Sequence, residues 1–168
     1  WDVHHGNGIQ HIFDDDPSVL YFSVHRYERG AFYPNTEDAA PTSVGKEGGR
    51  GTSVNVGWNT RGYAKPGDAE YLAVWREVLI PIANAFEPDL VIIAAGFDAA
   101  EGDPLGSCHV TPAGYAQMTS ELMTLAGGKV MVALEGGYSL AATAVSAAAC
   151  MHSLLGIALP VERAPSPP

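Results

Sequence analysis

The 168-residue sequence is poor in several things, and each shortage excludes a class of protein. It has two cysteines, Cys108 and Cys150, too few for a disulfide framework, so a reducing compartment is the default. No apolar run reaches the roughly 18 residues that a membrane-spanning helix needs. The start, Trp1-Asp2-Val3-His4-His5, lacks the basic and apolar stretches of a signal peptide, so no membrane association is expected. Basic residues are scarce: 9 Lys and Arg against 19 Asp and Glu give a formal net charge of −10. Direct nucleic-acid binding wants a basic face and is not expected, whereas a basic peptide partner suits the acidic balance. No internal repeat or heptad is visible. There is also no initiator Met, and on that ground the natural protein is expected to begin upstream.

What is present is a globular composition, 46% hydrophobic and 17% charged, in a chain long enough for one domain with a core. Loops are expected from Asn35 to Gly51 and from Asn59 to Gly67, which is marked by Gly62, Pro66 and Gly67. Residues 1–159 read as the domain, and Pro160 to Pro168, with four prolines, as a disordered tail. Val19 to Val24 and Ser53 to Val56 read as strands. Asp68 is placed to cap a helix running to about Phe86, with Tyr71, Trp75, Val78, Leu79, Ile82 and Phe86 at helical spacing. Pro81 should kink or break that helix, and Pro88 helps to stop it. The unbroken apolar runs Leu90 to Ala95 and Val130 to Leu134 suggest strands buried on both faces. Thr111-Pro112 opens a helix ending at Gly127-Gly128, and Ser139 opens an Ala-rich one ending near Gly156. The alternation predicts an α/β fold, a parallel sheet with helices on both faces, with a strand or two expected before Trp1.

Sites in such folds lie beyond the carboxyl ends of the strands. Gly96-Phe97-Asp98 follows one expected strand, Glu135-Gly136-Gly137-Tyr138 follows another, and Asp2-Val3-His4 stands at the start. In extended chain, residues i and i+2 face the same side, so Asp2 and His4 can address one cation, with Asp98 as a third ligand. Three N/O ligands and an open position is the pattern of catalytic zinc, and a donor set without Cys also suits Fe(II) or Mn(II). Tyr138, on a Gly-Gly turn, can donate a hydrogen bond to a developing oxyanion. Each feature alone also has an ordinary reading: a surface pair for Asp2 and His4, a helix cap for Asp98, a packed turn residue for Tyr138.

Five segments in order carry a resemblance. Asp2-Val3-His4-His5-Gly6-Asn7-Gly8, Ser23-Val24-His25, Gly96-Phe97-Asp98-Ala99-Ala100, Gly102-Asp103-Pro104-Leu105-Gly106 and Glu135-Gly136-Gly137-Tyr138 together resemble the zinc-dependent histone deacetylases. Asn7 and Phe97 look like class II, and Tyr138, where vertebrate class IIa enzymes have His, is closest to class IIb. The resemblance implies the three-layer arginase/deacetylase-like fold, here its C-terminal part. It implies zinc on Asp2, His4 and Asp98, with Tyr138 polarising the acetyl carbonyl. Tyr33 matches an aromatic wall of the lysine channel. Leu105 stands where polyamine-preferring relatives carry Glu, which favours acetyl-lysine in peptides. Ser23 and the carbonyls of Asp2, His4 and Val24 match a structural K+ site. Acetylated peptides such as histone tails, corepressor proteins, and residence in nucleus or cytoplasm are further implications.

One departure stands out. The family's general base is a His-His pair upstream of the zinc motif, and nothing in this sequence replaces it. His5, His11, His25, His109 and His152 read as structural. An acetylpolyamine or other arginase-like amidohydrolase, and a non-catalytic scaffold, are the rival readings.

Overall fold

Alternating strand and helix signals resolve, in a computed structural model that describes residues 1–60 and 65–158, into two pairs of parallel strands with helices packed against them. The expected loop from Asn59 to Gly67 falls in part, at residues 61–64 and with it Gly62, outside the described residues. The expected tail from Pro160 lies wholly outside them.

Strand β1 (Tyr21–Arg26) pairs with β2 (Ser53–Trp58), Tyr21 against Ser53, and β3 (Val91–Ala95) pairs with β4 (Val130–Leu134), Val91 against Val130. β3 and β4 are joined by a crossover that contains a helix (Pro112–Leu122), whereas only short 3-10 turns lie between β1 and β2. Helix α1 (Asn7–Phe13), which the sequence reading did not anticipate, follows the Asp-x-His segment. Helices α4 (Pro112–Leu122) and α5 (Leu140–Leu154) pack against each other. Their caps are as expected: Thr111 Oγ accepts the Gly114 N–H at 3.1 Å, and Ser139 Oγ accepts that of Ala142 at 3.4 Å. Helix α4 stops at Leu122, short of Gly127-Gly128, where a separate short 3-10 turn (Ala126–Gly128) forms.

Two local expectations change. The long helix is not broken at Pro81, and its regular winding changes just before it. It runs as α2 (Asp68–Val74), a π-helical stretch (Trp75–Leu79) and α3 (Ile80–Phe86). Proline offers no N–H to the carbonyl four residues back, and the wider turn just before it accommodates the lost bond; the Ile80 N–H reaches Trp75 O. Nor does Asp68 cap its own helix. Gly67 is the N-cap, and the Asp68 carboxylate accepts the Thr111 N–H at 2.8 Å and the Thr111 hydroxyl at 2.6 Å, tying the starts of α2 and α4 together. Gly114 leaves room for this, since a Cβ there would stand 2.1 Å from Asp68 Oδ1. Asp68→Ala should therefore cost about 1–2 kcal/mol, visible as a lowered thermal midpoint by circular dichroism. An unchanged midpoint would remove the tie from this account.

The core holds Trp1, Val3, Tyr71, Trp75, Phe97, Tyr115 and Met118. Trp1 and Phe97 each pack a ring on Tyr115, at centroid distances of 5.5 and 5.1 Å. Burying each such ring contributes roughly 2–3 kcal/mol. Strand β3 buries Ile93 and Ala95 but leaves Ile92 59% exposed, and β4 has Val130 and Val132 half-buried with Met131 50% exposed, so neither run is buried on both faces. Both cysteines are free and buried, as expected. No helix among the described residues is long and apolar enough to cross a membrane.

Candidate active site

Residues 1–4 run beside the end of β1, where the Arg26 N–H donates to Val3 O at 2.9 Å. A bend at Val3 and His4 turns Val3 fully into the core and leaves Asp2 and His4 half-buried beside each other. Strands β3 and β4 end side by side: the Glu135 N–H donates to Ala95 O at 3.1 Å, and that of Phe97 to Gly136 O at 2.9 Å. These bonds bring the residues after both strands to the same edge. Asp98, with no exposed surface, accepts the Val3 N–H on Oδ1 at 2.7 Å.

The result is a compact trio. His4 Nδ1 lies 3.1 Å from Asp2 Oδ1 and 3.0 Å from Asp98 Oδ2, and the three ligand atoms all fall within 4.8 Å of one another. Asp2 Oδ1 also accepts the backbone N–H of His4 at 2.7 Å. Two glycines make the space. A Cβ on Gly96 would stand 1.9 Å from Asp2 Oδ2, and one on Gly136 would stand 2.6 Å from Asp98 Oδ2. No other residue type fits at Gly96 without displacing the Asp2 carboxylate.

The charge balance of the trio calls for a cation. Hydrogen bonds that His4 donates to the carboxylates of Asp2 and then Asp98 raise its imidazole pKa to about 9, against the pull of burial. Burial disfavours the Asp2 carboxylate, yet the side-chain and backbone hydrogen bonds of His4 outweigh it and hold Asp2 below its ordinary value. A proton on His4 thus offsets one of the two carboxylate charges and leaves the trio net negative. A divalent ion bound by the same three atoms would neutralise both carboxylates and release the proton. Hard oxygen donors with one imidazole suit Zn2+, Fe2+ or Mn2+, so the residues present fit such a metal.

Aromatic rings surround His4. Phe32 stacks on it at 5.3 Å and 14°, while Tyr33 and Tyr138 approach edge-on at 5.8 and 6.5 Å. The Tyr33 and Tyr138 rings are well exposed, as is Leu105. Burial first, then the carboxylates of Asp98, Asp2 and Asp103, push the Tyr138 phenol above its usual value, so it remains protonated. The structure therefore brings Asp2, His4, Asp98, Tyr33 and Tyr138 together. Leu105 joins them through its loop, whose Gly106 carbonyl accepts Arg26 Nη1 at 3.1 Å, with the guanidinium 4.2 Å above the Phe32 ring. Sequence reasoning passed over Phe32 and Arg26; their positions, next to Tyr33 and after Ser23-Val24-His25, were the available signal.

The remaining histidines face elsewhere. His25 is buried, with Nε2 donating to Ala39 O at 2.9 Å and Nδ1 accepting from Ser23 Oγ at 2.9 Å. Burial pushes it down to about 4, so it stays neutral. His5 Nε2 meets Gln10 Oε1 at 2.8 Å. A surface cleft of about 450 Å³ lined by Tyr27, Arg29, Asn35 and Glu37 contains none of the trio, so donor chemistry and not concavity marks the site.

The comparisons with known proteins show the family to which this fold belongs. The model of the histone deacetylase domain family matches residues 1–154. Histone deacetylase 15 of Arabidopsis thaliana is 54% identical over 170 residues, covering 99% of this chain and 30% of that protein. Polyamine deacetylase HDAC10 of Homo sapiens is 47% identical over 168 residues, covering 100% of this chain and 25% of its own length. The chain thus spans between a quarter and a third of these curated relatives. Among solved structures, that of the histone deacetylase Clr3 superposes with a TM-score of 0.91 at 50% identity, covering 95% of this chain and 26% of that one. The Asp-x-His segment, the Asp after β3 and the Gly-Gly-Tyr turn after β4 are thus set in a fold shared with these enzymes, and the chain belongs to the histone deacetylase domain family.

Proposed function

We propose that the protein containing this chain hydrolyses acetyl-lysine in peptides such as histone tails, with a divalent metal on Asp2, His4 and Asp98. The observation that carries this reading is the closure of those three ligand atoms to within 4.8 Å beside Tyr138. Zn2+ is the first choice, and Fe2+ suits the same donors. When bound, the metal supplies Lewis acidity for the amide carbonyl and for water. Tyr138 holds its proton and presents it to the carbonyl oxygen as negative charge develops there. Phe32, Tyr33 and Leu105 offer apolar surface to the lysine stem. Water adds to the carbonyl carbon, the C–N bond breaks, the amine leaves with a proton, and acetate is the second product. The reading needs a base to take the proton from water. His5 and His25 are committed to Gln10, Ser23 and Ala39, and the resemblance assigns the base to a His-His pair N-terminal to the metal motif. The same resemblance extends the reading to class II character, a K+ ion at Ser23 and the carbonyls of Asp2, His4 and Val24, corepressor partners, and residence in nucleus or cytoplasm.

The 47% identity to a polyamine deacetylase favours acetylpolyamine as a second reading. Leu105 counts against it, because an apolar side chain does not attract a cationic substrate. The purified full-length protein should hold about one metal ion per chain and turn over acetyl-lysine peptide faster than acetylspermidine. The reverse order of rates would transfer the proposal to the polyamine, and no turnover of either with metal bound would end it.

A further inference from the structure

The Gly102-Asp103-Pro104-Leu105-Gly106 motif contains a carboxylate to which no role has yet been given. Asp103 is nearly buried, 9% exposed. Its Oδ1 accepts the N–H groups of Leu105 at 2.8 Å and Gly106 at 3.0 Å, an ordinary turn within its own loop. Its Oδ2 does something the turn does not need: it accepts the Tyr138 backbone N–H at 2.8 Å, across 35 residues of sequence.

That second bond falls directly after two residues that have no side chain. Tyr138 follows two glycines, and Gly137 sits at φ +133°, a conformation side chains rarely allow. The Tyr138 ring itself is 55% exposed, so packing does little to fix it. Immediately after it, Ser139 caps α5. Between a two-glycine hinge and a fixed helix start, the Tyr138 N–H is the point at which the ring can be aimed.

We infer that Asp103 is a positioning residue that fixes the Tyr138 phenol toward the reacting carbonyl and locks it to the Leu105 loop through one carboxylate. The inference rests on the role proposed above for Tyr138. Its consequence is that the oxyanion donor and the channel rim keep one relative placement. A displacement of the order of 1 Å at such a donor is enough to lower turnover about 100-fold.

The test exploits the two oxygens. Asp103→Asn keeps one acceptor for the Leu105 and Gly106 turn and replaces the other with an NH2 group that cannot accept from Tyr138. Asp103→Ser keeps a single oxygen for the turn and has no second one, and it serves if the asparagine variant folds poorly. In the full-length protein, kcat on acetyl-lysine peptide should fall about tenfold or more with KM and metal content nearly unchanged. In a Tyr138→Phe background the same change should cost less than about twofold, because the group it positions is gone. Equal losses in both backgrounds would overturn the inference. An independent readout needs no activity: amide hydrogen exchange by NMR on protein labelled with 15N-tyrosine and 15N-leucine. The Tyr138 amide should exchange faster in either variant while that of Leu105 stays protected, and an unchanged Tyr138 amide would overturn the tether. If the parent protein does not hydrolyse the peptide at all, the proposed function fails, and the exchange measurement still decides the tether.

Discussion

Asp98→Ala is expected to abolish stoichiometric metal binding and to destabilise the fold around it. Asp98 has two jobs on two oxygens. Oδ2 lies 3.0 Å from His4 Nδ1 among the ligand trio, and Oδ1 accepts the buried Val3 N–H at 2.7 Å. Alanine removes one of three ligands, which should weaken metal affinity at least about 100-fold, since changes to groups that merely support a ligand already cost 10–100-fold. It also leaves the Val3 N–H without its acceptor, at a cost of about 1–3 kcal/mol. The two effects separate in Asp98→Asn, whose amide oxygen can still accept from Val3 while the NH2 faces the metal position. That variant should melt near the parent's temperature yet bind little metal. Dialysed full-length protein, assayed for metal by mass spectrometry and for stability by thermal melting, gives both numbers. Full metal occupancy in the alanine variant would remove Asp98 from the ligand set.

Tyr138→Phe should lower kcat on acetyl-lysine peptide by about 100- to 1,000-fold, with KM and metal content close to the parent's. The magnitude is that of deleting one preorganised oxyanion donor. The split between kcat and KM follows because the phenol acts on charge present only in the transition state. The change is also clean: Tyr138 is 55% exposed, and phenylalanine keeps both its backbone N–H bond to Asp103 and its ring edge-on to His4. Turnover within twofold of the parent would mean that the oxyanion is stabilised by something else, and would take the positioning role of Asp103 with it. A loss spread equally over metal content would instead mark Tyr138 as structural.

Much of this was readable in sequence because it depends on short-range order. Period-2 spacing suggested that Asp2 and His4 share a side; they do, on a bend and not in extended chain, with Val3 in the core between them. Thr111-Pro112 and Ser139 announced α4 and α5 because capping is a local hydrogen bond. Asp68 was misassigned for the converse reason. Its carboxylate satisfies the start of a different helix 43 residues away, and no local pattern distinguishes that from capping its own. Pro81 was read as a kink or a break because proline lacks a donor, but the helix continues past it, with one wider turn taking up the lost bond.

The chemistry divides in the same way. The sequence by itself determined the donor types, their position after strands and the family resemblance, since residue identity and spacing along the chain are one-dimensional facts. Only the tertiary structure decided that Asp98 and His4, 94 residues apart, meet at 3.0 Å, that Gly96 and Gly136 leave the room, and that Phe32 stacks on the imidazole. It also gave Asp103 two partners, one close in sequence and one far. These are facts of distance between strand ends. Parallel pairing of β3 with β4 creates those distances, and they depend on register and packing over the whole domain, not on any single segment.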